Sequence, residues 1–115
     1  IATSREGIEA TDIQINNGDL NVYATDDGIN ATAKSSAYSV KIEVNGGTSY
    51  VKVGPGDTDA FDSNGDIIIN DGTIDVVAPT SAFDCAETGE INGGTVTVNG
   101  VVITQITCEA GPPPH

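Results

Sequence analysis

Ile15-Asn16-Asn17-Gly18 is the first copy of a short phrase that occurs four times in the sequence. Each copy has a β-branched residue, then Asn, then a turn that ends in Gly. The other copies are Val44-Asn45-Gly46-Gly47, Ile69-Asn70-Asp71-Gly72 and Ile91-Asn92-Gly93-Gly94. A repeat of about 20 to 30 residues is typical of proteins built from similar coils that stack on one another. The phrase therefore predicts a stacked repeat architecture.

A second phrase recurs in step with the first and reads small residue, large apolar residue, acid or amide, small residue. Its copies are Gly7-Ile8-Glu9-Ala10, Gly28-Ile29-Asn30-Ala31, Ala60-Phe61-Asp62-Ser63 and Ala82-Phe83-Asp84-Cys85. Short apolar segments with a period of two predict strands that bury one face, at residues 13–15, 20–24, 40–44, 67–69, 74–78 and 96–98. No segment has the 3.6-residue period of a helix, so the chain is predicted to be all-β.

We predict a short parallel β-helix, or β-solenoid, of about four coils in a single domain spanning residues 1–115. The expected parts are an N-terminal arm at 1–5, coils at 6–25, 26–55, 56–80 and 81–107, and a tail at 108–115. The alternative is an antiparallel β-sandwich with Asn-Gly hairpins. A sandwich of hairpins, however, does not explain why the second phrase recurs in step with the first.

Parallel stacking brings equivalent residues of successive coils together. We call a row of equivalent side chains in successive coils a file. One internal file is predicted to contain Ile8, Ile29, Phe61 and Phe83, and another Ile15, Val44, Ile69 and Ile91. The Asn residues of the first phrase are expected at corners, where Asn tolerates the left-handed conformation and stacked side-chain amides can hydrogen-bond along the axis.

The charge balance excludes several partners. The chain has 17 acidic and 4 basic residues and a formal net charge of −13. Four basic side chains cannot neutralise a phosphate backbone, so nucleic acid is not expected as a partner. No apolar run is long enough for a membrane-spanning helix. Because self-repulsion of this size destabilises a compact state, bound counter-ions are expected.

Two cysteines, Cys85 and Cys108, flank the last predicted coil. We predict a disulfide that ties the C-terminal strand to the coil below it, and two buried free thiols are the alternative. A disulfide implies an oxidising compartment, which favours an extracellular or cell-surface location.

The acidic residues gather at the turns that enter the coils, and this clustering predicts a metal site. Equivalent positions in a parallel stack lie about 4.8 Å apart, so bare carboxylates there repel one another. Ca²⁺, which takes six to eight oxygen ligands, relieves that repulsion better than the small octahedral Mg²⁺. A solvated acidic face is the alternative. The candidate metal ligands are Asp26, Asp27, Asn30, Asp57, Asp59, Asp62, Glu9 and Asp84.

Three segments resemble a family of clostridial extracellular carbohydrate-binding proteins: residues 26–31, 56–65 and 91–100. Gly56-Asp57-Thr58-Asp59-Ala60-Phe61-Asp62-Ser63-Asn64-Gly65 is the most specific of them. The resemblance implies a right-handed parallel β-helix with bound calcium, similar in shape to pectate lyases, that associates with cellulose and acidic pectic polysaccharide. It also implies calcium-rich turns at Asp26, Asp27, Asn30, Asp57, Asp59 and Asp62.

Catalysis is not expected. A lyase acting on uronates needs, besides calcium, a base and cations that stabilise the enolate. The sole arginine, Arg5, precedes the first coil, and the sole histidine, His115, is the terminal residue of the tail. We therefore predict that the protein is not an enzyme.

Carbohydrate binding without catalysis is one functional hypothesis. Calcium can bridge an acidic protein face to uronate carboxylates, and outward Tyr23, Tyr38 and Tyr50 can stack on sugar rings. Lys52, expected next to Tyr50, adds a cation for an acidic sugar. The alternative is that each tyrosine only covers a strand.

Self-assembly is the other hypothesis. A solenoid has unpaired strands at both ends, and no amphipathic capping helix is recognisable at either end of this sequence. Copies of the chain are therefore expected to stack end to end into a calcium-stabilised fibre or surface array, because a head-to-tail contact that does not close makes a fibre.

Overall fold

The computed structural model describes residues 7–32, 40–55 and 59–108. These residues contain strands and turns and no helix, so no helix in this part of the chain has the length and apolar character needed to cross a bilayer. In chain order the strands are β1 (Ile8–Ala10), β2 (Asp12–Ile15), β3 (Asp19–Ala24), β4 (Ile29–Ala31), β5 (Lys41–Val44), β6 (Thr48–Val53), β7 (Asp59–Ser63), β8 (Asp66–Ile69), β9 (Thr73–Val77), β10 (Ser81–Cys85), β11 (Gly89–Ile91), β12 (Thr95–Val98) and β13 (Val101–Ile103).

Three sheets run along the stack, and each takes every third strand up to β12, while β13 adds to the third sheet. The first sheet has the order β1-β4-β7-β10, the second β11-β8-β5-β2 and the third β13-β12-β9-β6-β3. All neighbours pair in parallel except β12 and β13. The chain is therefore a short parallel β-helix, with four layers of three strands joined by three inter-coil steps, as the repeats predict. The predicted arm at 1–5 and the predicted tail beyond Cys108 lie outside the described residues.

Both predicted internal files are confirmed. Ile8 pairs with Ile29, Ile29 with Phe61, and Phe61 with Phe83, while Ile15, Val44, Ile69 and Ile91 follow one another in the second sheet. The rings of Phe61 and Phe83 stack with their centroids 5.2 Å apart. Because most inward-facing apolar side chains meet an apolar equivalent in the next coil, one continuous core fills the space between the sheets.

The asparagine ladder predicted at the corner is also confirmed. The Nδ2 groups of Asn45, Asn70 and Asn92 each donate to the Oδ1 of the asparagine one coil earlier, at 2.8 Å in all three cases. The predicted left-handed conformation, however, belongs to the glycine that ends each corner and not to the asparagine: φ is 96° at Gly18, 81° at Gly47, 109° at Gly72 and 84° at Gly94. A residue with no Cβ adopts this conformation without steric cost.

The C-terminal end of the coil stack is covered by the chain itself. After β12 the chain reverses at Asn99-Gly100, and β13 pairs antiparallel with β12 in the place that a fifth coil's strand would take. Ile106 packs over Gly89: a Cβ at Gly89 would lie 2.5 Å from the Ile106 Cγ2. Residues 99–107, which were predicted to belong to the fourth coil, therefore form a cap.

The predicted disulfide between Cys85 and Cys108 is confirmed. It joins the end of β10 to the cap, with the two Cα atoms 4.9 Å apart and a sequence separation of 23. Cys85 is fully buried in the core. The bond therefore fixes the cap to the last layer of the first sheet.

Candidate functional site

The candidate metal site consists of the side chains of Asp27, Asp59 and Asp62, and we call this group the acidic site. Each residue offers a carboxylate oxygen, and these oxygens all lie within 4.8 Å of one another. Asp27 lies in the turn before β4, Asp59 begins β7, and Asp62 follows in the same strand. The site thus joins the turn before β4 to strand β7 of the next coil.

Two hydrogen bonds hold the turn before β4 in register with β7 of the next coil. The backbone N–H of Asp59 donates to Oδ1 of Asp27 at 2.9 Å, and the N–H of Gly28 donates to the carbonyl oxygen of Asp59 at 3.0 Å. Gly28 is required here, because a Cβ at this position would lie 2.6 Å from the carbonyl oxygen of Ala60. The close approach of the two coils therefore brings the carboxylates together.

Burial and mutual repulsion raise the pKa values at the acidic site. Burial is the main cause for Asp62, whose pKa rises to about 8, and the hydrogen bond with Asp27 and the charges of Asp27, Asp59 and Asp84 add to the shift. Burial also raises the pKa of Asp27 more than its hydrogen bonds with Asp59 and Asp62 lower it. Three ionised carboxylates in this space need a compensating positive charge, which a proton or a metal cation can supply.

The other predicted ligands lie at different distances from this group. Asn30, which is 7% exposed, occupies the β4 position next to Asp62, and Asp84 occupies the β10 position on the other side. Asp26 is adjacent in sequence and its charge acts on Asp27, but it is not part of the close group. Asp57 lies outside the described residues. The backbone of Glu9 continues the same file in β1, and its side chain is not described.

This donor set suits a hard cation. It consists of carboxylate oxygens from one strand, β7, and from the turn before β4, with an amide residue, Asn30, in the adjacent position of the file. Ca²⁺ prefers such oxygen ligands and tolerates irregular geometry. The residues therefore fit the calcium ion that the family resemblance implies.

The tyrosines form a second candidate site on the outer face of the third sheet. The rings of Tyr23 and Tyr50 make an edge-to-face contact with centroids 5.8 Å apart, and Tyr23 is 42% exposed. Lys52 was expected next to Tyr50, and the register places it opposite Tyr23 as well. Tyr38 lies outside the described residues.

A surface cavity of about 210 Å³ lies at the end of this face. Its walls are Tyr23 and Lys52 together with the strand ends that follow them, Ala24, Thr25, Val53 and Gly54. One tyrosine ring and one ammonium group therefore border the same depression. This combination can stack on a sugar ring and pair with an acidic substituent.

Sequence reasoning missed the neighbours of the tyrosines. Asn21 and Asp75 flank Tyr50 on the two adjacent strands, and Thr25 and Gly54 close the cavity. A signal for the first pair was present in the repeat: the third residue after the corner glycines at 18, 47 and 72 is Asn21, Tyr50 and Asp75. Counting from each corner would have found them.

Comparison with known proteins identifies the family. A family model described as "Carbohydrate-binding domain-containing protein" matches residues 1–60, slightly more than half of the 115-residue chain. Searches of curated proteins and of solved structures found no match. The matched segment includes both tyrosines of the outer face, Lys52, and two of the three aspartates of the acidic site. The chain belongs to the family of carbohydrate-binding domain-containing proteins.

Proposed function

We propose that this chain is a non-catalytic, calcium-stabilised extracellular domain that binds polysaccharide through the outer face of its third sheet. The observation that carries the proposal is the cavity bordered by Tyr23 and Lys52, with the Tyr50 ring against Tyr23. Family membership supports a polysaccharide partner, and the disulfide is consistent with an extracellular location. A binding role without a chemical step accords with the same family.

The chemistry of the cavity favours an acidic polysaccharide over a neutral one. Tyr23 supplies an exposed ring for stacking on any pyranose, whereas the Lys52 ammonium adds a contact that only a uronate carboxylate can use. Pectic polysaccharide therefore gains one more contact than cellulose. Both remain targets to be tested, because the stacking contribution is common to the two.

The acidic site and the cavity are formed by segments that are close in sequence. Thr25 at the cavity wall is followed by Asp26 and Asp27 in the turn before β4, and Gly54 lies five residues before Asp59 in the sequence. A cation held by Asp27, Asp59 and Asp62 therefore fixes the chain close to the cavity in both coils. Polysaccharide binding is accordingly expected to weaken when calcium is removed.

The test is binding to a pectate gel and to insoluble cellulose, each in calcium and in chelator. Tyr23→Ala should weaken binding to both polymers, and Lys52→Gln should weaken binding to pectate alone. Thr73→Ala, on the exposed outer face of β9, is the matched control and should bind like wild type. Unchanged binding by Tyr23→Ala would rule out this face as the binding site.

Head-to-tail stacking into a fibre is the second candidate. It is favoured by the file formed by Glu9, Asn30, Asp62 and Asp84, because the next copy's Glu9 would come beside Asp84 and a cation could join the two coils. The cap lies at the same end of the stack as Asp84, and its strand β13 and Ile106 occupy the place of a fifth coil. The cap would therefore have to move before a second copy could stack there. Electron microscopy in calcium and in chelator tests the fibre, which should form only in calcium.

A further inference from the structure

The C-terminal end of the solenoid differs from the rest of the chain in charge. Residues 91–108 contain no Asp, Glu, Lys or Arg, although the chain carries 17 acidic residues and a net charge of −13. Sixteen of the acidic residues precede this segment, and the seventeenth is Glu109. The segment runs from the last residue of β11 through β12 and the cap, which contains β13, to Cys108. It is therefore the part of the chain where two copies can approach with the least repulsion.

The edge strands show the same contrast. Six strands lie at sheet edges in the described part of the chain, and five of them contain an acidic residue: Glu9 in β1, Asp12 in β2, Asp19 in β3, Asp84 in β10 and Glu90 in β11. Charges on edge strands are a common protection against edge-to-edge pairing. The sixth edge strand, β13, reads Val101-Val102-Ile103, and both valines are 63% exposed. This strand lacks that protection.

The backbone of β13 is also arranged for pairing. Asn99 and Gly100 have φ values of 50° and 85°, which describe a two-residue hairpin turn between the paired residues Val98 and Val101. In such a hairpin, Val98 and Val101 exchange hydrogen bonds and the next pair, Thr97 and Val102, does not. The N–H and C=O of Val102 therefore point away from β12, towards the side of β13 where no described strand pairs.

The hairpin that presents this edge is fixed to the body of the protein. The Asn99 side chain accepts a hydrogen bond from the N–H of Ala78 and donates one to the carbonyl oxygen of Ala78, both at 2.9 Å. The disulfide between Cys85 and Cys108 fastens the chain after the hairpin to β10. A partner that pairs with β13 thus meets a pre-organised strand, which lowers the entropic cost of binding.

We propose that two copies of this chain associate through antiparallel pairing of β13 with β13 about a two-fold axis at Val102. The two Val102 residues exchange a pair of backbone hydrogen bonds, and Val101 packs beside the partner's Ile103. The contact is isologous and closes after two copies, unlike head-to-tail stacking. Because the strand has three residues, the interface is small and the dimer is of the weak, concentration-dependent class.

The first test is sedimentation of wild-type protein over a wide concentration range at low and high ionic strength. The expected result is a monomer–dimer equilibrium that does not extend to larger species. Dimerisation should strengthen with salt, because screening weakens the repulsion between two acidic chains, and it should not require calcium. A monomer at all concentrations, an open series of larger species, or dimers that need calcium would each overturn the proposal.

Two substitutions at Val102 then test the contact itself. Val102→Pro removes only an N–H that the hairpin does not use, and Val102→Glu adds the acidic residue that the other edge strands carry. Both should be monomeric with the Cys85–Cys108 bond intact. Thr73→Glu makes the same charge change on an exposed outer face away from the edge and should dimerise like wild type. Dimers that persist in both Val102 variants would exclude β13 as the interface.

A cysteine at the axis gives a result that does not depend on weakening the fold. In the proposed dimer the two Cα atoms of residue 102 lie about 5.5 Å apart, within the range of a disulfide. Val102→Cys should therefore form a symmetric disulfide-linked dimer on mild oxidation, and Thr73→Cys should not. Equal cross-linking of the two variants, with the native disulfide verified by peptide mapping, would contradict the two-fold contact.

Discussion

The backbone N–H of Asp59 donates a hydrogen bond of 2.9 Å to the Oδ1 of Asp27, which lies one coil earlier in the stack. The hydrogen bond joins the turn before β4 to the start of β7, two places that the sequence marks with similar acidic residues. It also directs the Asp27 carboxylate towards Asp59 and Asp62, so the coil junction and the acidic site are formed by the same residues. Stability of the junction should consequently depend on what neutralises the three carboxylates.

The first prediction is that calcium stabilises the fold. A ligand that binds only the native state at a hundred times its dissociation constant adds about 2.7 kcal/mol to the free energy of unfolding. Thermal unfolding should therefore shift upward from chelator to saturating calcium. Asp59→Ala and Asp62→Ala should lose most of this shift, whereas Asp75→Ala, on the outward face of β9, should keep it. Identical melting curves in calcium and in chelator would refute calcium binding at this site.

The second prediction concerns pH in the absence of calcium. The pKa of Asp62 is raised to about 8 in the folded protein, whereas an unfolded aspartate titrates near pH 4. Between these values the folded state binds more protons than the unfolded state, so the free energy of unfolding should fall as the pH rises from about 4 to about 8. Chemical denaturation in chelator at a series of pH values measures this slope.

Calcium and an amide substitution give the controls for that slope. Asp62→Asn removes the titrating group and should flatten the decline in chelator. Saturating calcium should also remove the decline, because the cation binds the ionised carboxylates and so favours the folded state at high pH. A slope in chelator that is the same in wild type and in Asp62→Asn would contradict a raised pKa at Asp62.

Much of the fold was predictable because the repeats fix the register. Once equivalent phrases are aligned, Ile29 must lie between Ile8 and Phe61, and Asn45 between Asn16 and Asn70, as the pairing shows. The disulfide follows from the two cysteines at the ends of the last coil. In a stacked fold, aligning the repeats with one another therefore predicts which residues pair between successive coils.

The cap was missed because its turn resembles the corners. Asn-Gly occurs at the corners in Asn17-Gly18, Asn45-Gly46 and Asn92-Gly93, where the chain continues into the next strand of the coil, and at Asn99-Gly100, where the chain reverses. At each corner only the final glycine is left-handed, whereas in the hairpin both turn residues have positive φ. The Asn-Gly pair alone therefore does not distinguish the two structures.

The acidic site was predictable as a region but not as a set of ligands. Asp26 and Asp27 are neighbouring residues of the same type, yet only Asp27 lies with Asp59 and Asp62 in the acidic site. Adjacent residues in an extended turn point in different directions, and composition carries no information on which one faces the junction. The backbone hydrogen bond from Asp59 makes that choice.

The third prediction is that reduction of the disulfide destabilises the last coil. Closing a loop of this length removes enough unfolded-chain entropy to contribute about 3 kcal/mol. Reduced protein, or the double variant Cys85→Ala/Cys108→Ala, should unfold at lower denaturant concentration. Amide exchange should accelerate in β12 and β13 more than in β3 and β6, because the bond fastens only the C-terminal cap. Uniform acceleration in all layers would show that the stack unfolds as one unit.

The last prediction concerns a hydroxyl in the core. Ser49 lies between Leu20 and Ile74 in the third sheet, is 1% exposed, and its Oγ has no hydrogen-bond partner among the described residues. A buried polar group without a partner costs about 1 to 3 kcal/mol. Comparison of Ser49→Val with Ser49→Thr isolates that cost, because the two side chains have the same shape and differ only in the hydroxyl. The valine variant should be more stable than the threonine variant by about 1 kcal/mol or more in urea denaturation at an unchanged m value. A threonine variant as stable as the valine variant would show that the hydroxyl at position 49 finds a partner in the folded protein.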